Sequence, residues 1–392
     1  MEKRRALAAV TVLSIAAFAF VTTELLPIGL LTVMAPDLDR SRSEIGLLVG
    51  GYAIVVVLAS IPLTMLTKHV PRRRLLSVTL VVFALANAVA AAAQSYQMLA
   101  GARLITALTQ ALFWSVVTPA VGGLFPAAVR GRALALFATG PALAPVLGVP
   151  IGTWLGQQAG WRAAFAVMTA VGLLSAAVVA ALLPSYPPSA GGAARATAPD
   201  RTRFTMLMIV TALGVTGYLT FTTYVTPFLL DVTGFSERSL APLLFISGAA
   251  GIIGTFAVSR TLDRYPVASL VAPLLIGAGS LLALAALGAL RPAAMVLLGG
   301  VGLGYAAYAT GLQHGILRLA PGNTDLASAL GSTVFNAGIA AGALIGGAVL
   351  PALGARALAL AGGLFVLAAA VCLALDTARS RTRVPVPQGS TD

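Results

Sequence analysis

Glu24 lies in Thr22-Thr23-Glu24-Leu25-Leu26-Pro27, inside an apolar run from Ala6 to Ala35 in which it is the only acidic residue. The run is long enough to cross a bilayer. At a rise of ~1.5 Å per residue the carboxyl sits roughly 10 Å inside the hydrocarbon. A charge at that depth costs at least about 2.5 kcal/mol unless it is paired, hydrated or protonated, so an intramembrane acid is read first as functional. The chemistry it offers is reversible protonation.

Arg103 is the only Lys or Arg in the interior of an apolar run, in Gly101-Ala102-Arg103-Leu104-Ile105-Thr106-Ala107-Leu108-Thr109-Gln110. It lies roughly 9 Å from its end of the run, close to the depth of Glu24. Arg103, Ala107, Gln110 and Trp114 recur at helical spacing and share one face. Burial favours the neutral acid and a nearby arginine favours the carboxylate, so an acid held between the two can switch with substrate or conformation. Glu24 and Arg103 are therefore the proton-coupling candidates. The alternative for Arg103 is snorkelling to the interface or a fixed structural pair.

The substrate-binding candidates are Thr23, Tyr52, Gln110, Trp114, Tyr224, Tyr308, Gln313 and Asn336. Hydroxyls, amides and rings suit a neutral polyol such as a sugar, and an amphipathic drug almost as well. Each is alternatively a helix-packing residue. Tyr218 and Tyr224 are six residues apart and do not share a face, whereas Tyr305 and Tyr308 are neighbours at i, i+3. The histidines are read as structural: His314 as a hydrogen-bonding residue in a span, His69 as solvated in a basic loop. The gating and packing candidates are Arg72 and Arg73, in the charged loop Lys68–Arg74, and Gly140, Pro141, Gly148 and Gly152. The Pro- and Gly-rich stretch allows close helix approach and rocking.

The elements that must position these residues follow from composition. The 392-residue chain is 58% hydrophobic and 9% charged, with mean hydropathy +0.95. A soluble domain is about 25% charged, so this is an integral membrane protein whose partner is the lipid bilayer. The net charge of +13 is spread over short loops rather than gathered in a patch, which argues against nucleic acid. One cysteine, Cys372, rules out an intrachain disulfide. The sequence holds no G-x-x-x-x-G-K-[S/T] phosphate loop, no metal-ligating cluster and no credible Ser-His-acid set. An enzyme and a cofactor are therefore not expected, and transport is ion-driven or passive. The start reads as a span rather than a cleavable signal.

Twelve apolar runs are expected as spanning helices, at 6–35, 44–66, 75–94, 97–125, 133–156, 161–184, 204–230, 239–259, 267–289, 292–317, 326–350 and 356–375. The predicted organisation is an N-terminal six-helix half (1–184), a cytoplasmic linker (185–203), a C-terminal six-helix half (204–378) and a cytoplasmic tail (379–392). With the N-terminus inside, the inner segments hold 18 of the 25 Lys and Arg residues and the outer segments 6. The positive-inside rule then places both termini in the cytoplasm.

The halves repeat. Thr222-Thr223-Tyr224-Val225-Thr226-Pro227 echoes Thr22–Pro27 at an offset of 200 residues. Thr261–Pro266 falls opposite Leu66–Pro71, and Gly342 and Gly346 match Gly148 and Gly152 at an offset of 194. Parallel halves around a midplane site describe an alternating-access transporter.

These motifs give the chain a resemblance to the major facilitator superfamily, in its twelve-span drug:H⁺ antiporter group. Gly140-Pro141 through Gly152 looks like the group's span 5 antiporter motif, with Ala144 and Pro145 where glycine is usual. Arg103 with Gln110 looks like its span 4 arginine motif. The loop after span 2 departs from the pattern: Lys68 stands in place of an acid and Pro71 in place of glycine, while Arg72 and Arg73 are kept. Thr22–Leu31, Pro62–Arg73, Ala111–Ser115 and Phe335–Leu344 are similar to bacterial sugar efflux transporters. The resemblance implies proton antiport through Glu24 and export of sugars or sugar-like molecules, with multidrug or chloramphenicol-type antibiotic efflux as the alternative. A multi-pass monomer in the cell (inner) membrane, with a small molecule and protons as its partners, is expected.

Overall fold

The computed structural model describes residues 3–184, 198–321 and 324–382. Among them the regular structure is all helical, and twelve helices are long and apolar enough to cross a membrane. Spans 1–6 are Arg4–Asp37, Arg42–Thr67, Arg72–Ala91, Tyr96–Gly123, Val129–Ala159 and Trp161–Leu182. Spans 7–12 are Arg201–Thr222, Glu237–Ser259, Ala268–Leu287, Arg291–Leu319, Leu326–Leu353 and Ala355–Thr377. Residues 185–197 of the expected linker (185–203) and most of the tail lie outside the described residues, and Arg201–Arg203 of that linker form the first turn of span 7. The chain just before span 7 is tied down: Ala198 and Asp200 donate their backbone N–H groups to Arg318 O and Leu319 O (3.0 and 3.1 Å). Asp200 then caps span 7 by accepting from the Arg203 amide.

The halves have the same internal packing. Span 3 lies on span 6 and span 2 on span 4; correspondingly, span 9 lies on span 12 and span 8 on span 10. Glycines set the closest approaches. Along span 5, a methyl group at Gly148, Gly152 or Gly156 would strike Thr22, Leu26 or Leu30 of span 1, one helical turn apart. In the second half Gly338, Gly342 and Gly346 of span 11 are filled in the same way by Val215, Leu219 and Tyr224 of span 7. In hydrocarbon, where apolar burial does not drive helices together, such small-residue seams supply packing contact.

Two spans depart from regular helix. Span 5 widens into a π-turn at Ala144–Gly148, where Pro145 interrupts the hydrogen-bond ladder. Span 7, expected as one run to 230, stops at Thr222, turns at Tyr224 (φ −118°, ψ 27°), and resumes as Val225–Pro227 and a π-turn at Phe228–Val232. Pro227, which has no N–H to donate back toward Thr223, lies past the break and within the resumed segment.

The halves meet at the end of the bundle that carries the loop between spans 1 and 2. Span 2 packs on span 11, and Gly248 of span 8 sits against Pro145 and Val146 of the span 5 π-turn. Arg42 pairs with Asp231 (2.5 Å), and Gln157 donates to Glu237 O (2.6 Å). Toward the other end the halves part and leave a cleft: span 5 packs closely on span 8 from its π-turn onward, through Ala144–Ala159, and not along Ala127–Leu143. The buried residues of span 2 run only from Ile45 to Val56, and beyond them Leu58, Ile61, Met65 and Leu66 are each more than half exposed.

Candidate functional site

Glu24 comes to the core of the first half because Thr22, Leu26 and Leu30 fit the glycine seam of span 5, which fixes the rotation of span 1. Its side chain is 8% exposed. Gln110 of span 4 donates its Nε2–H to Glu24 Oε2 (2.7 Å), and Gln110 Oε1 accepts from the Tyr52 hydroxyl of span 2 (2.8 Å). Tyr52 has a second, longer acceptor in Thr106 O (3.4 Å). Tyr305, of span 10 in the other half, lies within electrostatic range of Glu24.

Arg103 reaches span 1 too, but through the backbone. Its Nη1 and Nη2 donate to Thr23 O and Glu24 O, both at 2.9 Å. Pro27 explains the first contact. It has no N–H, so the carbonyl of Thr23, four residues before it, has no helical partner. The guanidinium fork satisfies that carbonyl and the next, a geometry that suits Arg and not Lys. The Tyr52 ring lies under it (5.0 Å from Cζ to the centroid). Nε is buried without a hydrogen-bond partner among the described residues. A positive group thus sits beside Glu24 while the carboxylate takes its hydrogen bond from Gln110.

Of the remaining substrate candidates, Thr23 is buried toward span 3, with Asn87 Oδ1 at 3.5 Å from its hydroxyl. Asn87, fully buried and anchored to Phe83 O, was not among the sequence candidates: it is a lone amide in an apolar run, with no spacing to mark it. Trp114 is half-buried between Phe113 and Phe137 (centroids at 5.7 and 6.0 Å). Gln313 is exposed on a recess of about 140 Å³ that Thr211, Leu312, Ile316, Ser332 and Phe335 also line. Asn336 donates to Ser332 O of its own helix.

Tyr308 and Tyr224 are fully buried and do not face the cleft. Tyr308 donates to Val210 O (2.7 Å) above Gly214, inside the second half. Tyr224 leaves the span 7 break and crosses to the first half. Its ring fills the space that Gly46, Gly346 and Gly347 leave open, and its hydroxyl lies 2.9 Å from Ala343 O and 3.4 Å from Ser43 O. Nearby, Thr226 Oγ1 donates to Ile28 O (3.3 Å). The repeated Thr-Thr-x-x-x-Pro segments of spans 1 and 7 therefore meet: one carries the buried acid, the other a tyrosine plug.

Among the gating candidates, Arg73 donates from Nη2 to Ala180 O at the end of span 6, within its own half. Arg72 is partly buried at the start of span 3. Gly140 donates its N–H to Ser14 Oγ (2.9 Å), and a methyl group there would strike the Ser14 carbonyl. Pro141 precedes the π-turn that holds Gly148. His314 Nε2 approaches Asp263 Oδ1 at 4.0 Å. Among the described residues no three His, Cys, Asp or Glu side chains cluster as a metal site.

Two six-helix halves, closed at one end, cleft at the other and holding a charged network at mid-depth, define a polytopic membrane transporter. The chain belongs to the Major Facilitator Superfamily, whose family model matches residues 12–323. Similar solved structures agree on the fold. A bacterial homologue of the human lysosomal transporter Spinster, inward-facing and unoccupied, superposes with a TM-score of 0.74 at 15% identity, covering 99% of this chain and 100% of that one. The same homologue in its inward-facing, occupied form gives 0.75 at 17% identity, covering 97% and 98%. The human organic anion transporter MFSD10 (TETRAN) gives 0.69 at 18% identity, covering 95% and 100%.

Proposed function

We propose that this transporter is a proton antiporter that exports sugars or sugar-like small molecules by alternating access from the cell (inner) membrane, with both termini cytoplasmic. The observation that carries the proton reading is Glu24: a carboxylate at mid-depth, 8% exposed, with one neutral donor on it and an arginine beside it. Such a group gains or loses a proton at modest cost when the cleft changes sides. The basic loops gather at the cleft end, so the positive-inside rule makes the cleft cytoplasmic. Protonation of Glu24 from outside releases the solute, and deprotonation inside permits reloading. The polyol reading rests on the resemblance of spans 1, 4 and 11 to sugar exporters and on the amides and hydroxyls near the cleft, such as Gln313 and Ser332.

A second reading, export of an amphipathic antibiotic, is favoured by the recess at Gln313, whose walls are largely Ala309, Leu312, Ile316 and Phe335. Everted vesicles carrying the protein separate the two. Proton release on adding simple sugars supports the first reading, and release on adding chloramphenicol-type antibiotics supports the second. Glu24→Gln is expected to abolish pH-driven flux of whichever solute responds while the protein still reaches the membrane. Full gradient-driven flux by that variant would refute proton coupling through Glu24.

A further inference from the structure

We infer that Gln110 is an amide switch: its side chain flips when Glu24 takes up a proton, and Tyr52 partners it in both orientations, donating in one and accepting in the other. This rests on the reading of Glu24 as a titrating group and extends it to the groups that pass the change on.

The observed network fixes one orientation by elimination. An ionised carboxylate can only accept, so the Gln110 NH₂ must face Glu24 and its carbonyl must face Tyr52. Tyr52 can meet that requirement because its hydroxyl donates, at 2.8 Å. All three groups are nearly excluded from solvent, at 8%, 3% and 1% exposure for Glu24, Gln110 and Tyr52, so water does not substitute for a lost partner. Once Glu24 is protonated, its O–H can donate to the Gln110 carbonyl. The amide then presents its NH₂ to Tyr52, whose oxygen accepts. The hydroxyl proton freed from Gln110 has an acceptor waiting, the Thr106 carbonyl at 3.4 Å. Both states satisfy their polar groups, which is what a two-position switch requires.

The charged and titratable groups that face Glu24 are few. Arg103 lies on the carbonyls of Thr23 and Glu24, and Tyr52 lies behind Gln110. Tyr305 approaches from span 10. Where spans 3, 5 and 7 meet this part of span 1, they bring Asn87, Gly148 and Thr226, which do not titrate. The switch links span 1, through span 4, to span 2. Span 2 carries Gly46, under the Tyr224 plug, and packs on span 11 of the other half. Protonation at Glu24 is thereby communicated to the helix on which the halves close. Tyr52 and Gln110 become positioning residues for the acid rather than contacts for the solute.

The test needs no solute, since the proton is the probe. Purified full-length protein in proteoliposomes is followed by pH-step infrared difference spectroscopy, with the Glu24 carboxyl band assigned by its loss in Glu24→Gln and the amide band by its loss in Gln110→Leu. In the wild type the two bands are expected to change together. Gln110→Leu removes the hydrogen bond donated to the carboxylate, which favours the protonated acid, so its carboxyl band should persist to higher pH, by about one unit. Tyr52→Phe, which removes the amide's partner in both orientations, should uncouple the amide band from the carboxyl band. The double variant should match Gln110→Leu alone, because Tyr52 acts through the amide. Retention of the gel-filtration profile and melting transition in Tyr52→Phe, which removes one atom, shows that the fold is kept. A Glu24 band that titrates at the same pH in all three proteins, or an amide band indifferent to pH, would overturn the switch. No carboxyl band lost in Glu24→Gln would instead remove the proton reading beneath it.

Discussion

At the scale of single residues, Arg103 does more for span 1 as a fork than as a charge. Two carbonyls accept from it, and one of them has lost its helical partner to Pro27. Arg103→Lys keeps the charge and offers a point donor that reaches one of the two carbonyls. We expect it to destabilise the protein by about 1–3 kcal/mol, the cost of one unsatisfied buried group, and Arg103→Met to cost more. Thermal unfolding in detergent checks the order, and equal stability of the Lys variant and the wild type would contradict the fork. Glu24, Arg103 and Gln110 were legible in the sequence because a polar residue in an apolar run stands out, and helical spacing put the last two on one face. Asn87 stood out less, with neither charge nor spacing to mark it. The tyrosines misled for a physical reason. A phenol in a span looks ready for a ligand, yet the hydroxyls of Tyr218, Tyr224 and Tyr308 sit on backbone carbonyls of neighbouring helices. One sequence shows which residues share a face; it does not show which way the face is turned.

At the scale of elements, the glycine seams decide how close span 1 comes to span 5. Not every glycine matters equally. Gly148→Val should clash with Thr22 and cost about 1–3 kcal/mol or more through overpacking. Gly51→Ala and Gly101→Ala meet nothing within 4 Å. They should be neutral or stabilise by up to about 1 kcal/mol, the helix-propensity gain over glycine. Melting temperatures of the three variants test this, and a strongly destabilised Gly51→Ala would count against the packing described. The spans themselves were legible to within a few residues, since their lengths follow from the bilayer. The break at Thr223–Tyr224 was not: Pro27 sits inside a continuous span 1 helix, whereas the matching Pro227 follows a break. The sequence pattern around the two prolines is the same, and their tertiary surroundings differ.

At the scale of the whole molecule, closure of one end depends on which inter-half contact carries the energy. The Arg42–Asp231 pair is 40% and 48% exposed, and exposed pairs contribute about 0–1 kcal/mol. The Tyr224 ring, fully buried and packed into the space over Gly46, supplies close packing contact across the halves that an exposed ion pair does not. We expect the plug rather than the ion pair to hold this end shut. Gly46→Val removes the seat of the Tyr224 ring and should shift the population toward the conformation open at this end, by tenfold or more for a loss of about 1.4 kcal/mol. Asp231→Asn should shift it far less. Replacing Cys372 gives a cysteine-free background, so thiol reactivity of cysteines introduced along the span 2–span 11 seam reads the population directly. A larger shift from Asp231→Asn than from Gly46→Val would reverse this assignment.

The fork of Arg103 also has a consequence in time. A ribosome delivers the chain from the N-terminus, so span 1 enters the membrane before Arg103 has been synthesised. Until span 4 arrives, the nascent helix carries an acid in lipid and a carbonyl that Pro27 has left bare. Span 1 therefore gains its polar partners only when the fourth span joins it. The residues that surround Glu24 in the finished protein are then brought together by the order of synthesis, the acid first and its partners from span 4 last.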